Sequence, residues 1–144
     1  MFRRILVPTD FSESATRALR LAVTLARESG GHVTVFHCAP AVDMLGHGTV
    51  DNALYYGALM DRLSEELDRL LTRTVGEEIP KGLSEDHAQV IGFPPDEIVR
   101  RAKEGAYDLV VMGTHGRTGL DKVLMGSVTA RVIRRSEVPV LVCR

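Results

Sequence analysis

The chain has 144 residues, 44% of them hydrophobic and 26% charged, a balance that suits one globular domain, residues 1–144, with a core large enough to need no covalent staples. A formal net charge of −1 argues against general nucleic-acid affinity, which needs a basic face. Cys38 and Cys143 stand far apart with no CxxC, which argues against a zinc site or a redox dithiol.

Residues 2–7, Phe-Arg-Arg-Ile-Leu-Val, read as a first strand that is nearly all apolar after two arginines, as a strand covered on both faces would be. The N-terminus has no apolar signal region. No run approaches the roughly 20 apolar residues of a membrane span, so a cytoplasmic protein without membrane contact is expected. Pro8-Thr9-Asp10-Phe11-Ser12 stops the strand, and Ser12 is suited to cap a helix starting directly after it. Ala15, Ala18, Leu19, Ala22, Val23 and Ala26 then recur at helical spacing until Gly30-Gly31 ends the helix.

Residues 33–38 predict a second strand, with His37 packing at its end. Residues 39–52 lack a period and read as a long loop. Leu59, Leu63, Leu67, Leu70 and Leu71 mark an amphipathic helix whose leucine stripe is expected to pack on the core. Residues 77–86 are polar and turn-rich, and residues 87–91 predict a third, weaker strand. Gly92-Phe93-Pro94-Pro95 opens a helix with Asp96 and Glu97 in its first turn and Arg100, Arg101 and Lys103 later, as the helix dipole favours. Residues 109–112 predict a fourth, buried strand. A basic excursion with Arg117 and Lys122 comes next. From Ser127 a last helix buries Val128, Val132 and Ile133, and residues 138–142 close as a fifth strand.

Alternating strands and helices with long links predict an α/β fold with a five-stranded parallel sheet between helical layers. Pro139 within the fifth strand makes that strand an edge, because proline cannot donate to a second neighbour. A short apolar edge invites pairing, and a second copy of the chain is the simplest partner.

Ligands of open α/β sheets sit beyond the carboxyl ends of the strands, where strand order reverses. Here those ends carry Pro8, Thr9 and Asp10, then Cys38 to Pro40, then Gly92 to Pro94, then Gly113 to Gly116. Glycine permits close approach of main chain to an anion, and the Gly126-Ser127-Val128-Thr129 helix opening supplies orphan N–H donors. A phosphate site at Gly116 and residues 126–129 is therefore expected. Arg117 and Lys122 could neutralise its charge, and His115 is a lone loop histidine. Asp10 has two readings: acceptor for a ribose hydroxyl or a phosphate-bound metal, or helix cap beside Ser12.

Gly113-x2-Gly116-x9-Gly126-Ser127 resembles the ATP-binding signature of the universal stress protein family. Val7-Pro8-Thr9-Asp10-Phe11-Ser12, Gly92-x-Pro94 and Val138-Pro139-Val140-Leu141-Val142 extend the similarity along the whole chain. The resemblance implies strand order 3-2-1-4-5 and ATP, with Mg or Mn, as ligand. It implies adenine near Cys38 and Met112, ribose near Asp10 and Gly113, and phosphates at Gly116, Gly126, Ser127, Val128 and Thr129. It also implies a homodimer through residues 138–142. Cys38 stands where ATP-binding relatives carry valine. A nucleotide-responsive regulatory protein, not an enzyme, is the expected function. The alternatives are a dimeric interaction module without nucleotide and a slow ATP hydrolase. The chain has no Walker G-x4-G-K-[ST] and no G-x-G-x-x-G after the first strand, and Ile91-Gly92 stands where a receiver domain needs an acid.

Overall fold

A computed structural model describes residues 2–40, 50–114 and 125–144, with residues 50–56 as backbone only. In chain order the elements are β1 (Arg4–Pro8), α1 (Glu13–Ser29), β2 (His32–Pro40), α2 (Val50–Glu78), β3 (Ser84–Gly92), α3 (Pro94–Glu104), β4 (Leu109–Gly113), α4 (Ser127–Arg135) and β5 (Val140–Cys143). The strands pair in parallel in the order β3-β2-β1-β4-β5. Both the fold class and the strand order agree with the reading of the sequence.

Alternation along the inner strands builds the layers, since successive side chains of a strand leave opposite faces. Ile5, Val7, Val33, Val35, Leu109 and Val111 pack with Ala18, Leu19 and Ala22 of α1 and Leu71 and Val75 of α2. Leu6, Phe36, Cys38, Val110 and Met112 pack with Ile98 and Ala102 of α3 and Val132 of α4. The inner strands are thus apolar on both faces because both are covered.

Local chemistry sets the helix ends. Ser12 caps α1, its Oγ accepting from the Ala15 N–H at 3.2 Å, and Gly30 closes it at φ 63, a left-handed conformation that favours glycine. Pro94 and Pro95 occupy the first turn of α3.

Several boundaries move. Ala39 and Pro40 belong to β2, and α2 begins at Val50; the rest of the expected loop, residues 41–49, lies outside the described residues. The expected polar turn shortens to residues 79–83, Glu77 and Glu78 ending α2 and β3 starting at Ser84. Pro139 precedes β5, yet its carbonyl still accepts from the Val110 N–H at 2.9 Å, and β5 is an edge as expected.

Three expected core positions are corrected. Leu59 and Leu63 on α2 are 45% and 40% exposed, while Leu71 further along the same stripe is fully buried. Ile133 on α4 is likewise exposed, at 40%.

Candidate functional site

Strand order reverses between β1 and β4, and the turns leaving these two strands lie side by side. Ile5 and Leu6 pair with Leu109 and Val110. Carried forward, that register sets Pro8 level with Met112 and Thr9 level with Gly113. The switch point therefore lies between the β1–α1 turn and the end of β4, where a parallel α/β sheet opens a crevice.

The β1–α1 turn is tightly specified. Its Thr9 N–H donates to the Phe36 carbonyl at 2.8 Å, and its Thr9 carbonyl lies 2.8 Å from His37 Nδ1. Thr9 Oγ1 accepts from the Phe11 N–H and Asp10 Oδ1 from the Ser12 N–H, both at 3.0 Å. Asp10 thus has one carboxylate oxygen engaged inside the turn, on the main chain of the cap residue Ser12. Pro8 and Thr9 are buried, and Asp10 is partly exposed.

On the far side of the switch point, the opening of α4 is fastened to the end of β4. The Gly126 N–H donates to the Thr114 carbonyl at 2.7 Å, and the Thr129 hydroxyl donates to the Gly113 carbonyl at 2.9 Å. Gly126 is the N-cap, at φ −58 and ψ 148, and has no side chain to cap the helix. Ser127 is exposed, Val128 partly buried and Thr129 buried. Met112 and Cys38 lie on the face covered by α3 and α4. Burial pushes the Cys38 thiol up to about 11, the Glu97 charge adding and a Gly92 backbone hydrogen bond opposing. It is a protonated apolar group at neutral pH.

Gly113 has a reason the sequence did not disclose. A methyl group there would meet Ser14 Oγ at 2.3 Å and the Ser14 main-chain carbon at 2.9 Å. Its lack of a side chain lets the first turn of α1 sit against the end of β4. Ser14 itself is buried and its Oγ has no hydrogen-bond partner. Nothing in the sequence marks Ser14, whose neighbour is 99 positions away. Arg131, also unremarked, sets its guanidinium 5.3 Å from the Phe93 ring, joining α4 to the N-cap of α3.

The structure brings Pro8, Thr9, Asp10, Met112, Gly113, Gly126, Ser127, Val128 and Thr129 to one end of the sheet, with Cys38 on the adjoining strand. His115, Gly116, Arg117 and Lys122 lie outside the described residues. As a metal site, Asp10 offers a single carboxylate, and among the described residues no group of three or more His, Cys, Asp or Glu stands together. No helix among the described residues is long and apolar enough to cross a membrane.

A doubly wound parallel sheet with a helix N-terminus fastened at its switch point places the chain in the open-sheet α/β class, in which the switch-point crevice is the usual place for ligands. Within that class the chain belongs to the universal stress protein family, whose family model matches residues 1–144. It is 31% identical to universal stress protein MJ0577 of Methanocaldococcus jannaschii, covering 100% of this chain and 96% of that one. The solved structure of MJ0577 superimposes with a TM-score of 0.87 at 32% identity over 99% of this chain and 96% of that one. A universal stress protein from Archaeoglobus fulgidus solved in complex with dAMP gives a TM-score of 0.65 at 25% identity, covering 99% and 98% of the two chains. One solved in complex with cAMP shares the fold, with a TM-score of 0.67 at 24% identity over 99% of this chain and 97% of that one.

Proposed function

We propose that this protein binds ATP at the switch point and works as a nucleotide-responsive homodimer in the cytoplasm, with a regulatory rather than a catalytic role. The observation that carries the reading is the fastening of α4 to β4. With Gly126 and Thr129 tied to Thr114 and Gly113, the first-turn N–H groups of Ser127, Val128 and Thr129, which have no intrahelical acceptors, stand at the switch point. An anion there gains donors and the positive end of the helix dipole. The dAMP complex of the A. fulgidus relative supports an adenine nucleotide as the class of ligand.

In this reading Cys38 and Met112 flank adenine, and Pro8, Thr9, Asp10 and Gly113 meet the ribose. Gly116, Arg117 and residues 126–129 take the phosphates. A divalent ion such as Mg or Mn fits as one held chiefly by the phosphates, with Asp10 adding one oxygen, since the described residues offer no cage of their own. Free Cys38 and Cys143 suit a reducing compartment.

The test is to denature freshly purified protein, identify released nucleotide by mass spectrometry, and titrate Mg-ATP calorimetrically into wild type and Gly126→Val. ATP recovered or bound by wild type and lost in the variant is the expected result; φ −58 at Gly126 is open to valine, so the fold should survive. Equal ATP affinity in both would overturn the phosphate site. No nucleotide and no binding heat would favour the interaction-module reading, and ADP accumulating with time would make the protein a hydrolase.

A further inference from the structure

His37 is buried, 8% exposed, with Nδ1 at 2.8 Å from the Thr9 carbonyl. A carbonyl oxygen only accepts, so it is Nδ1 of His37 that carries the hydrogen in this bond. The preceding residue, Phe36, accepts the Thr9 N–H. Two consecutive residues of β2 thereby grip both polar groups of the Thr9 main chain. The His37 ring also lies against Phe11, with centroids 4.8 Å apart and planes at 40°.

Phe11 stands at φ 64, in the left-handed region, a strained conformation for a bulky residue. Such a backbone persists only where its surroundings over-determine it. Here they are the Thr9 and Asp10 side-chain bonds inside the turn, the Ser12 cap, and His37 from outside it. Of these, His37 alone ties the turn to another strand through a side chain. The direction of the Asp10 carboxylate depends on the turn keeping this form.

We propose that His37 is a positioning residue for the nucleotide site. Its Nδ1–H holds the Thr9 carbonyl, and so holds the strained β1–α1 turn in the form that presents Asp10 to the ribose, without touching nucleotide itself. The inference rests on the proposed nucleotide binding. His37→Phe keeps a ring for Phe11 to lie against but leaves the Thr9 carbonyl without its donor. His37→Asn loses the ring but restores a donor, because the asparagine amide nitrogen occupies the place of Nδ1.

The experiment is calorimetric titration of Mg-ATP into wild type, His37→Phe and His37→Asn, with thermal melts of each and the 15N shifts of the wild-type His37 ring. His37→Phe should bind about tenfold or more weakly and His37→Asn within about threefold of wild type, the scale set by one lost hydrogen bond. The ring should show the Nδ1–H tautomer. Wild-type affinity in the folded Phe variant, or equal loss in Phe and Asn, would overturn the proposal. If the Phe variant does not fold, a tenfold loss in Asn or an Nε2–H ring in wild type overturns it. Wild type that binds no ATP defeats the nucleotide reading instead, while the tautomer still reports on the clamp.

Discussion

A methyl group on Gly113 would fall 2.3 Å from the Ser14 hydroxyl, and moving that hydroxyl aside still leaves Ser14 main chain at 2.9 Å. Gly113→Ala should therefore lower unfolding free energy by about 1–3 kcal/mol, the usual range for overpacking. Urea denaturation of the single variants and of Gly113→Ala with Ser14→Gly would check this. The double variant should lose less than the two singles summed, because they share one contact. Strict additivity would show that α1 retreats from β4 at no cost. The glycine was legible in the sequence as a place of close approach. What approaches it was not, since α1 and β4 meet only after the chain between them has folded back. His37 is a similar case: position and burial were legible in the strand pattern, but its partner on β1 was not.

α2 shows where a periodic pattern misleads. Its 29 residues span about 43 Å at the usual helical rise, against about 30 Å for the nine residues of β3. The helix outruns the strand it packs on, and its leucine stripe passes from core to surface. Near the change, Leu63, Ser64 and Leu67 line a shallow groove with Gln89, Val90 and Ile91, and the Gln89 amide donates to the Ser64 carbonyl at 2.9 Å. Periodicity reports which face of a helix is apolar, not how far the opposing layer extends. Leu71→Ala should cost about 2–5 kcal/mol, as a fully buried leucine, and Leu63→Ala much less, within about 1 kcal/mol. Chemical denaturation of the two would separate them, and equal losses would place both in the core. The short strands and capped helices were legible because their signals are local: Ser12, Gly30 and the Pro94-Pro95 pair each act within one turn.

Across the whole molecule, the sheet has two open edges, β3 and β5, of unequal character. Ser84, Glu85 and Asp86 on β3 are exposed and mostly charged, a composition that discourages edge-to-edge pairing. β5 carries Val140, Leu141 and Val142, with Leu141 38% exposed and Ile133 of α4 exposed as well. Pairing through β5 is the basis of the proposed homodimer. Leu141→Asp should give monomers, or insoluble protein, by light scattering; an unchanged dimer would place the interface elsewhere. The seam between β1 and β4 has a further consequence, for folding. The Arg3 N–H donates to Asp108 Oδ2 across 105 positions of sequence, and β1 cannot meet β4 until about three-quarters of the chain exists. Contacts so distant in sequence carry the largest loop-closure cost and slow folding. The crevice lies on that seam, so it is among the last features a growing chain completes. A ligand that binds there binds only the finished fold, and by mass action favours it over every partly folded form.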